Sequence, residues 1–314
     1  MRIFRAYNIL FTQKAAAKSS GMENIMGYDY NMLIKDCNML VKEYGFCDFY
    51  SVGESVMEKK LCCLRVGSGS KKIFVNGAHH GLEYLTSAFI VRFFESYCKA
   101  YADNTDFFGY DVKKLYDSVS LYAVPMVNPD GVDIAVNGID ITNPYHRKLI
   151  SMVGIHSFNK VWQANANGVD INHNYDAGWQ AVKTYPSPTG YAGPYSESEP
   201  ETKAMVELIK AEKFDMLIAF HSQGGEIYYD FDGSVPEKSY ELVNKMAQVS
   251  GYNPSVPSGT AAYGGCKDWF IKEFSKSGFT VEIGKGKNPL PVEMLDKIFE
   301  ENAKIILSAM EELM

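Results

Sequence analysis

A histidine and a glutamate three residues apart, His80 and Glu83, are the part of the sequence best suited to chemistry. They follow the apolar run 72–75 and lie in a segment that contains two glycines. A strand that ends in such a turn can direct an imidazole and a carboxylate at one point. Nitrogen and oxygen ligands with one position open to water are typical of hydrolytic zinc sites. The spacing H-x-x-E is weak by itself, so its context in the chain decides whether it is a metal site.

Composition limits the classes of protein to which the chain can belong. Its 314 residues could form one large α/β domain or two ordinary ones, and 46% hydrophobic with 22% charged residues is typical of a soluble globular protein. The net charge of -7 argues against nucleic acid or a membrane surface as a general partner. Six cysteines without a C-x-x-C pair predict buried, reduced thiols rather than disulfides or a thiolate zinc site.

Residues 1–21 are interpreted as an N-terminal extension, disordered or artificial, with Met22 as the natural start. The apolar stretch near the N-terminus is interrupted by Asn8 and continues into polar residues, which does not fit a signal peptide. No apolar run approaches the length of a membrane span. These observations predict a cytoplasmic protein with one catalytic domain over residues 22–314.

Apolar patterning predicts strands that alternate with helices. The predicted strands are 49–52, 60–66, 73–76, 119–127, 215–221 and 279–283, and the predicted helices are 28–44, 86–101, 199–212, 237–251, 268–277 and 293–314. The sequence Asn-Pro-Asp-Gly at 128–131 predicts a turn, and residues 135–198 predict a long, irregular functional loop region. The alternation predicts an α/β fold, a sheet with helices on both faces.

Three of the predicted strands lead into side chains with metal-binding or acid–base chemistry. These side chains are His80 and Glu83 after the strand at 73–76, His221 after the strand at 215–220, and Glu282 after the strand at 279–281. Active sites of open α/β sheets lie outside the carboxyl ends of the strands. We therefore expect the four side chains to form one site.

The residue types predict a role for each member of this group. His80, Glu83 and His221 form the His₂Glu ligand set of catalytic zinc sites. Glu282 is the candidate general base. A structural alternative, a strand carboxylate paired with a lysine, stays open for Glu282 on periodicity alone. The adjacent His79 is expected to point to the core or to a partner of the metal ligands.

Short motifs occur along the chain in a fixed order. They are Gly53–Ser55, Leu64–Gly67, Gly77–Glu83, Asn128–Gly131, Gly168–Asn174, Ser198–Glu201, Phe220–Ser222 and Thr280–Glu282. Together they resemble the zinc carboxypeptidase family over residues 28–314. The resemblance implies one domain with a central mixed, twisted β-sheet between helices, one Zn²⁺ per chain, and metallopeptidase activity with Glu282 as the catalytic glutamate.

Substrate-binding positions depart from the family pattern. Where the family reads N-R-N and grips a terminal carboxylate, this chain has Asn172-His173-Asn174. An imidazole cannot reproduce the planar fork of a guanidinium. Asn172 and His173 remain candidate substrate-binding residues, but ordinary C-terminal carboxylate capture is not expected.

Two further family positions are changed. The family arginine that follows a tryptophan is Gln163 after Trp162, and the sequence leaves open whether Arg147 or Lys160 replaces it. The position of the family's mobile tyrosine is occupied by Thr260. Tyr263 is the nearest phenol and is therefore a further candidate substrate-binding residue, alongside Arg147.

The N-H-N motif and the closing T-V-E-I-G resemble the bacterial branch that cleaves γ-D-glutamyl-L-diamino acid bonds of cell-wall peptides. The leading hypothesis is a zinc peptidase that hydrolyses the γ-D-glutamyl–meso-diaminopimelate bond of a murein tripeptide or a related small peptide. The alternatives are a conventional metallocarboxypeptidase, a zinc amidohydrolase acting on small N-acyl amino acids, and a binding module without catalysis. The intact set of four site residues argues against the binding module, and the sequence does not predict the oligomeric state.

Overall fold

Eight strands form one mixed sheet that organises the chain. The structure, a computed structural model, describes residues 27–314, so the predicted extension at 1–21 and the start at Met22 lie outside the described residues. The strands are β1 Asp48–Glu54, β2 Lys60–Val66, β3 Lys71–Gly77, β4 Val119–Val124, β5 Met216–His221, β6 Glu226–Tyr228, β7 Asn253–Ser255 and β8 Gly278–Glu282.

Helices connect most of these strands and cover the sheet. They are α1 Tyr30–Glu43, α2 Tyr84–Asp103, α3 Val112–Ser118, α4 Pro129–Asn137, α5 His146–Val153, α6 Phe158–Val161, α7 Pro200–Glu212, α8 Ser239–Ser250, α9 Cys266–Phe274 and α10 Leu295–Glu312. Within residues 27–314, none of the helices has the length and apolar character needed to cross a membrane.

The strand order places a topological switch point in the middle of the sheet. The order is β1-β2-β4-β3-β5-β8-β6-β7, and β4, β3, β5 and β8 run parallel. From β3 the chain goes through α2 to β4 on one side, whereas β5 pairs with β3 on the other side. Ligand sites of open sheets lie at such a point. The predicted α/β fold with a central mixed sheet and flanking helices is confirmed; the short strands β6 and β7 were not predicted.

The alternating side chains of β3 illustrate how both faces of the sheet are buried. Ile73 and Val75 belong to the core formed with α1, α2, α8 and α10, whereas Phe74 belongs to the core formed with α7 and α9. Every residue of β4 and of β5 is buried. A strand covered on both faces reads as an unbroken apolar run, which is why the sequence reveals these strands clearly. All six cysteines are buried and free, as predicted.

The predicted turn at 128–131 is wrong, because these residues begin helix α4. The side chain of Asn128 caps the helix by accepting a hydrogen bond from the Gly131 N–H at 2.8 Å, and Pro129 is at the start of the first helical turn. Asparagine and proline are favoured at these positions for the same local reasons that favour them in turns. The region 135–198 likewise contains more regular structure than predicted, including α5 and α6.

Glu201, on α7, is a fully buried carboxylate that joins distant segments. It accepts hydrogen bonds from the Val56 N–H at 3.2 Å and from Asn165 Nδ2 at 3.0 Å. Burial, with a smaller contribution from the buried Asp130 carboxylate, raises the pKa of Glu201 from its ordinary 4.5 to about 8. The folded protein therefore carries a proton on this side chain at neutral pH.

This proton makes stability depend on pH. Because the folded-state pKa of Glu201 lies above the unfolded value, we expect the free energy of unfolding to fall as the pH rises from about 4.5 to about 8. The variant Glu201→Gln cannot ionise at this position. Denaturant titrations should therefore show that its free energy of unfolding falls less between pH 5 and pH 9 than that of the wild type. Glu207→Gln, an exposed position on the same helix, is the matched control. Equal pH dependence in all three proteins would contradict the assignment.

Candidate functional site

The side chains predicted to form a site meet at the carboxyl ends of β3, β5 and β8. His80 and Glu83 follow β3; His80 immediately precedes a 3₁₀ turn that begins at Gly81, and Glu83 is the last residue of that turn. His221 is the last residue of β5 and Glu282 the last residue of β8, and the two are paired directly across the strands. The group thus lies at the switch point between β3 and β5 and extends to β8.

Close backbone packing at Gly81 fixes the turn that carries Glu83. A Cβ atom at this position would lie 2.3 Å from the carbonyl oxygen of Gly131 and 2.8 Å from that of Trp162. The Gly81 N–H also donates to the Gln163 carbonyl at 3.0 Å. Only glycine allows the turn to approach the start of α4 this closely.

The carboxylate of Glu83 lies between two imidazoles. His80 Nδ1 is 2.9 Å from Glu83 Oε1, and His221 Nδ1 is 3.0 Å from Glu83 Oε2. One ligand atom from each residue can be chosen so that all lie within 4.8 Å of one another. Glu83 and His221 are buried and His80 is half-buried. The arrangement can hold a metal ion with two nitrogen ligands and one oxygen ligand.

Asp170 determines which nitrogen of His80 faces this centre. It accepts a hydrogen bond from His80 Nε2 at 3.1 Å and another from the Gly190 N–H at 3.0 Å. With its proton on Nε2, His80 directs the Nδ1 lone pair at Glu83. With that tautomer, the Nδ1 lone pair and the carboxylate oxygen at 2.9 Å are held together by a cation between them, which is a proton or a metal ion. The donor set therefore fits zinc, which accepts imidazole and carboxylate ligands.

The two glutamates of the site differ in their affinity for a proton. Burial favours the neutral form of Glu83, but in the metal-free site the adjacent imidazoles in their protonated form outweigh burial and lower its pKa to about 2. Burial, and then the nearby Glu83 charge, raise the pKa of Glu282 well above its usual range. Such a pair gives one carboxylate that stays ionised and another that can take up a proton. Within residues 27–314 no lysine forms an ion pair with Glu282, so the lysine-paired alternative finds no support.

The structure brings three of the predicted substrate-binding residues together. Asn172 and His173 lie on a 3₁₀ turn that directly follows Asp170. The Asn172 side-chain oxygen accepts from the Cys266 N–H at 3.2 Å, and His173 Nδ1 donates to the Tyr263 carbonyl at 3.1 Å. The turn that orients His80 therefore also carries Asn172 and His173, with Tyr263 beside them.

Arg147 and Gln163 have different relations to the site. Arg147 is exposed on α5 and makes no ion pair or side-chain hydrogen bond with any residue in the described range, so its role in substrate binding stays a prediction. Gln163 is bonded through its carbonyl to the Gly81 N–H, and its side chain accepts from Thr189 Oγ1 at 2.6 Å. The segment next to His80 thus presents an amide where the family pattern has an arginine.

Two supporting side chains were missed by sequence reasoning. Asp170 lies within a quoted motif, but nothing in the sequence indicated its bond to His80. Asn288 follows β8 and donates through Nδ2 to the Ser222 carbonyl at 2.6 Å and to Glu83 Oε1 at 3.4 Å. Its only signal was a polar residue before a proline shortly after Glu282.

His79 points away from the metal-binding centre. It is fully buried, its ring stacks on His221 with the centroids 5.3 Å apart, and its Nε2 lies 3.0 Å from the Tyr175 hydroxyl. It therefore contacts one of the ligand candidates, one of the two alternatives that the sequence left for it.

Comparison with known proteins assigns the chain to a family. The model of the family described as zinc carboxypeptidase matches residues 35–305. The chain belongs to the zinc carboxypeptidase family. The resemblance drawn from the motifs is thereby confirmed, and this zinc carboxypeptidase is a metallopeptidase of a family that uses a catalytic zinc.

Particular relatives agree with this assignment. The γ-D-glutamyl-L-diamino acid endopeptidase 1 of Lysinibacillus sphaericus is 35% identical over 295 residues, which cover 93% of this chain and 73% of that protein. The structure of carboxypeptidase A from Helicoverpa armigera aligns with a TM-score of 0.70 at 17% identity, over 95% of this chain and 78% of that one. Murein-tripeptide amidase MpaA from Escherichia coli O157 aligns with a TM-score of 0.56 at 20% identity, over 84% and 90%. The two structural alignments show the common fold.

The geometry predicts which variants of this zinc carboxypeptidase lose the metal. We expect about one zinc per chain in the wild type, and a large loss in His221→Ala, because one of the two nitrogen ligands is removed. His156→Ala, an exposed histidine, should keep the full zinc content. Elemental analysis of protein after dialysis measures both. Full zinc retention in His221→Ala would show that the ion binds elsewhere.

Proposed function

We propose that this zinc carboxypeptidase hydrolyses the γ-D-glutamyl–meso-diaminopimelate bond of murein peptides. The name of the relative that is 35% identical, a γ-D-glutamyl-L-diamino acid endopeptidase, supports the bond type. A structural neighbour named as a murein-tripeptide amidase supports the same substrate class. Both names describe those proteins. The substrate of this chain is inferred from the residues of its own site.

The absence of an arginine from the substrate-binding turn carries the proposal. Residues 27–314 contain three arginines: Arg65 pairs with Asp48, Arg92 pairs with Asp296, and Arg147 is exposed on α5. The turn at Asn172 and His173 therefore lacks the guanidinium fork that clamps a single terminal carboxylate. A diaminopimelate residue offers further carboxylate and ammonium groups, so its binding does not depend on that clamp.

The roles of the metal-binding group follow from its geometry. His80, Glu83 and His221 are the proposed zinc ligands, and Asp170 holds His80 in the required tautomer. Zinc, when bound, supplies a Lewis acid that activates water and polarises the scissile carbonyl.

Glu282 is the proposed general base. It takes a proton from the attacking water and passes it to the leaving amine of diaminopimelate. Its raised pKa, caused first by burial and then by Glu83, suits a group that must accept a proton and release it in one cycle. Asn172, His173 and Tyr263 are the proposed contacts to the leaving diaminopimelate. A cytoplasmic location remains part of the proposal, since the residues on which it depends are not described.

Hydrolysis of the murein tripeptide tests the substrate class. We expect the purified enzyme to release free diaminopimelate from L-Ala-γ-D-Glu-meso-diaminopimelate, measured by chromatography of the products. The matched control is the isomer in which glutamate is linked through its α-carboxyl group, which should be cleaved far more slowly. Cleavage of the α-linked isomer with the γ-linked peptide intact would favour a conventional metallocarboxypeptidase instead.

The role of Glu282 has a separate test. Glu282→Gln keeps the size of the side chain but cannot accept a proton, so we expect kcat to fall by at least about 100-fold while zinc content stays at the wild-type level. Steady-state kinetics with elemental analysis of the same sample gives both readings. Glu273→Gln, on α9, is the control for a glutamate outside the site. Retained turnover in Glu282→Gln would mean that another group is the base.

A further inference from the structure

A short loop after β8 forms one wall of the site. This loop, residues 284–288 and here called the Lys285 loop, directly follows Glu282 and Ile283. It is bonded to the turn after β5 at two points. The Gly224 N–H donates to the Gly284 carbonyl at 2.9 Å, and the Gly286 N–H donates to Gln223 Oε1 at 3.3 Å. The loop therefore has a fixed position beside the catalytic residues.

The far end of the Lys285 loop is attached to the metal-binding group. Asn288 donates to the Ser222 carbonyl and to Glu83 Oε1, and its own side-chain oxygen accepts from Ser222 Oγ at 2.8 Å. The loop is thus held at both ends by groups within three residues of His221 or by Glu83 itself. The end of the loop therefore has a fixed position relative to Glu83 and Ser222.

Lys285 extends from this loop across Gly225. A Cβ atom at Gly225 would lie 2.8 Å from Lys285 Cε and 3.8 Å from Nζ, so glycine leaves the space that the lysine stem occupies. A Cβ atom at the neighbouring Gly224 would lie 3.4 Å from Glu282 Cβ. The Gly224-Gly225 segment therefore packs against Glu282 at one residue and against the Lys285 stem at the next. Within residues 27–314 the ammonium group has no ion-pair partner, and the side chain is exposed.

The Lys285 loop and the Asn172 turn lie on opposite faces of the sheet. The loop leads from Ile283 to Leu290, both in the core shared with α2 and α10. The Asn172 turn is bonded to Cys266, which lies in the core shared with α7 and α9. A substrate placed across the strand ends therefore has one half beside each wall. With the leaving diaminopimelate at Asn172 and His173, the acyl half lies beside Lys285.

The charged group on the acyl half of the substrate determines what Lys285 can bind. A γ-linked D-glutamyl residue keeps a free α-carboxylate, separated from the scissile carbonyl by the Cα atom and two methylene groups. Arg65 and Arg92 are paired with Asp48 and Asp296, Arg147 lies exposed on α5, and the buried Lys267 is paired with Asp268. Lys285 is a flexible cation whose charge is not neutralised by a neighbour.

We propose that Lys285 is a specificity-determining residue that binds the α-carboxylate of the γ-D-glutamyl group. The proposal depends on the proposed function, since the γ-linkage is what leaves this carboxylate free. This contact distinguishes D-glutamyl peptides from D-isoglutaminyl peptides, in which an uncharged amide replaces the α-carboxylate. A carboxylate–ammonium hydrogen bond is stronger than one made by an amide.

The experiment compares two substrates and four proteins. The substrates are L-Ala-γ-D-Glu-meso-diaminopimelate and the peptide with D-isoglutamine in place of D-glutamate; the proteins are the wild type, Lys285→Gln, Lys285→Arg and Lys287→Gln. We expect Lys285→Gln to lower kcat/KM for the D-glutamyl peptide by about 10- to 100-fold, the range for hydrogen bonds to charged groups. Its kcat/KM for the D-isoglutaminyl peptide should stay close to that of the wild type. Lys285→Arg should recover most of the loss.

Lys287→Gln is the matched control, because it removes the same charge from the same loop. It should leave kcat/KM for both peptides close to the wild-type values. This result separates a direct contact by Lys285 from a general effect of charge. An equal fall with both substrates in Lys285→Gln, or an equal fall in Lys287→Gln, overturns the proposal while the proposed function stands. A wild type that cleaves neither peptide, yet hydrolyses an α-linked C-terminal residue, overturns both. Zinc content, measured for each variant, shows that the site remains loaded.

Discussion

The position of the Glu83 carboxylate between two imidazoles is the constraint on which the rest of the site depends. His80 comes from the same turn, but His221 comes from a strand 138 residues away in sequence, and each is within 3.0 Å of a different oxygen of Glu83. Both contacts can form only if β3 and β5 are neighbours with their carboxyl ends level. The strand order supplies this, because β3 and β5 are adjacent and parallel and the chain adds its next strands on opposite sides of them. The metal-binding geometry is thus a direct result of the strand order.

Charge is distributed unevenly around this centre. Asp170, Glu83 and Glu282 lie near the histidines, and the positions where the family pattern has arginines carry Gln163 and His173. The electrostatic character of the site therefore comes from carboxylates and from whatever cation they hold. Recognition of anionic substrate groups then depends on polar and cationic groups outside these two positions, and the loops around the strand ends are where such groups lie.

Sequence patterns predicted the sheet well because its central strands are buried on both faces and read as apolar runs. The four principal site residues could be located because each follows such a strand, and strand ends are easy to find. Asn128 shows where local patterns fail: a side chain that caps a helix and one that makes a turn use the same chemistry. Asp170 and Asn288 were not predicted, because their partners lie 90 and 205 residues away and no local periodicity records such contacts. Arg147 was proposed from charge alone, and charge does not specify position.

The amide of Asn288 has a consequence for how such an enzyme can be redesigned. One side chain contacts Glu83 and also ends the Lys285 loop. Loop exchange is the usual way to transplant substrate preference between related enzymes, and it assumes that the loop can be removed without disturbing the catalytic centre. Here that assumption fails, since a grafted loop without an amide at this position would leave Glu83 with one polar partner fewer. An exchange of the Lys285 loop that keeps the contacts of Glu83 therefore has to keep Asn288.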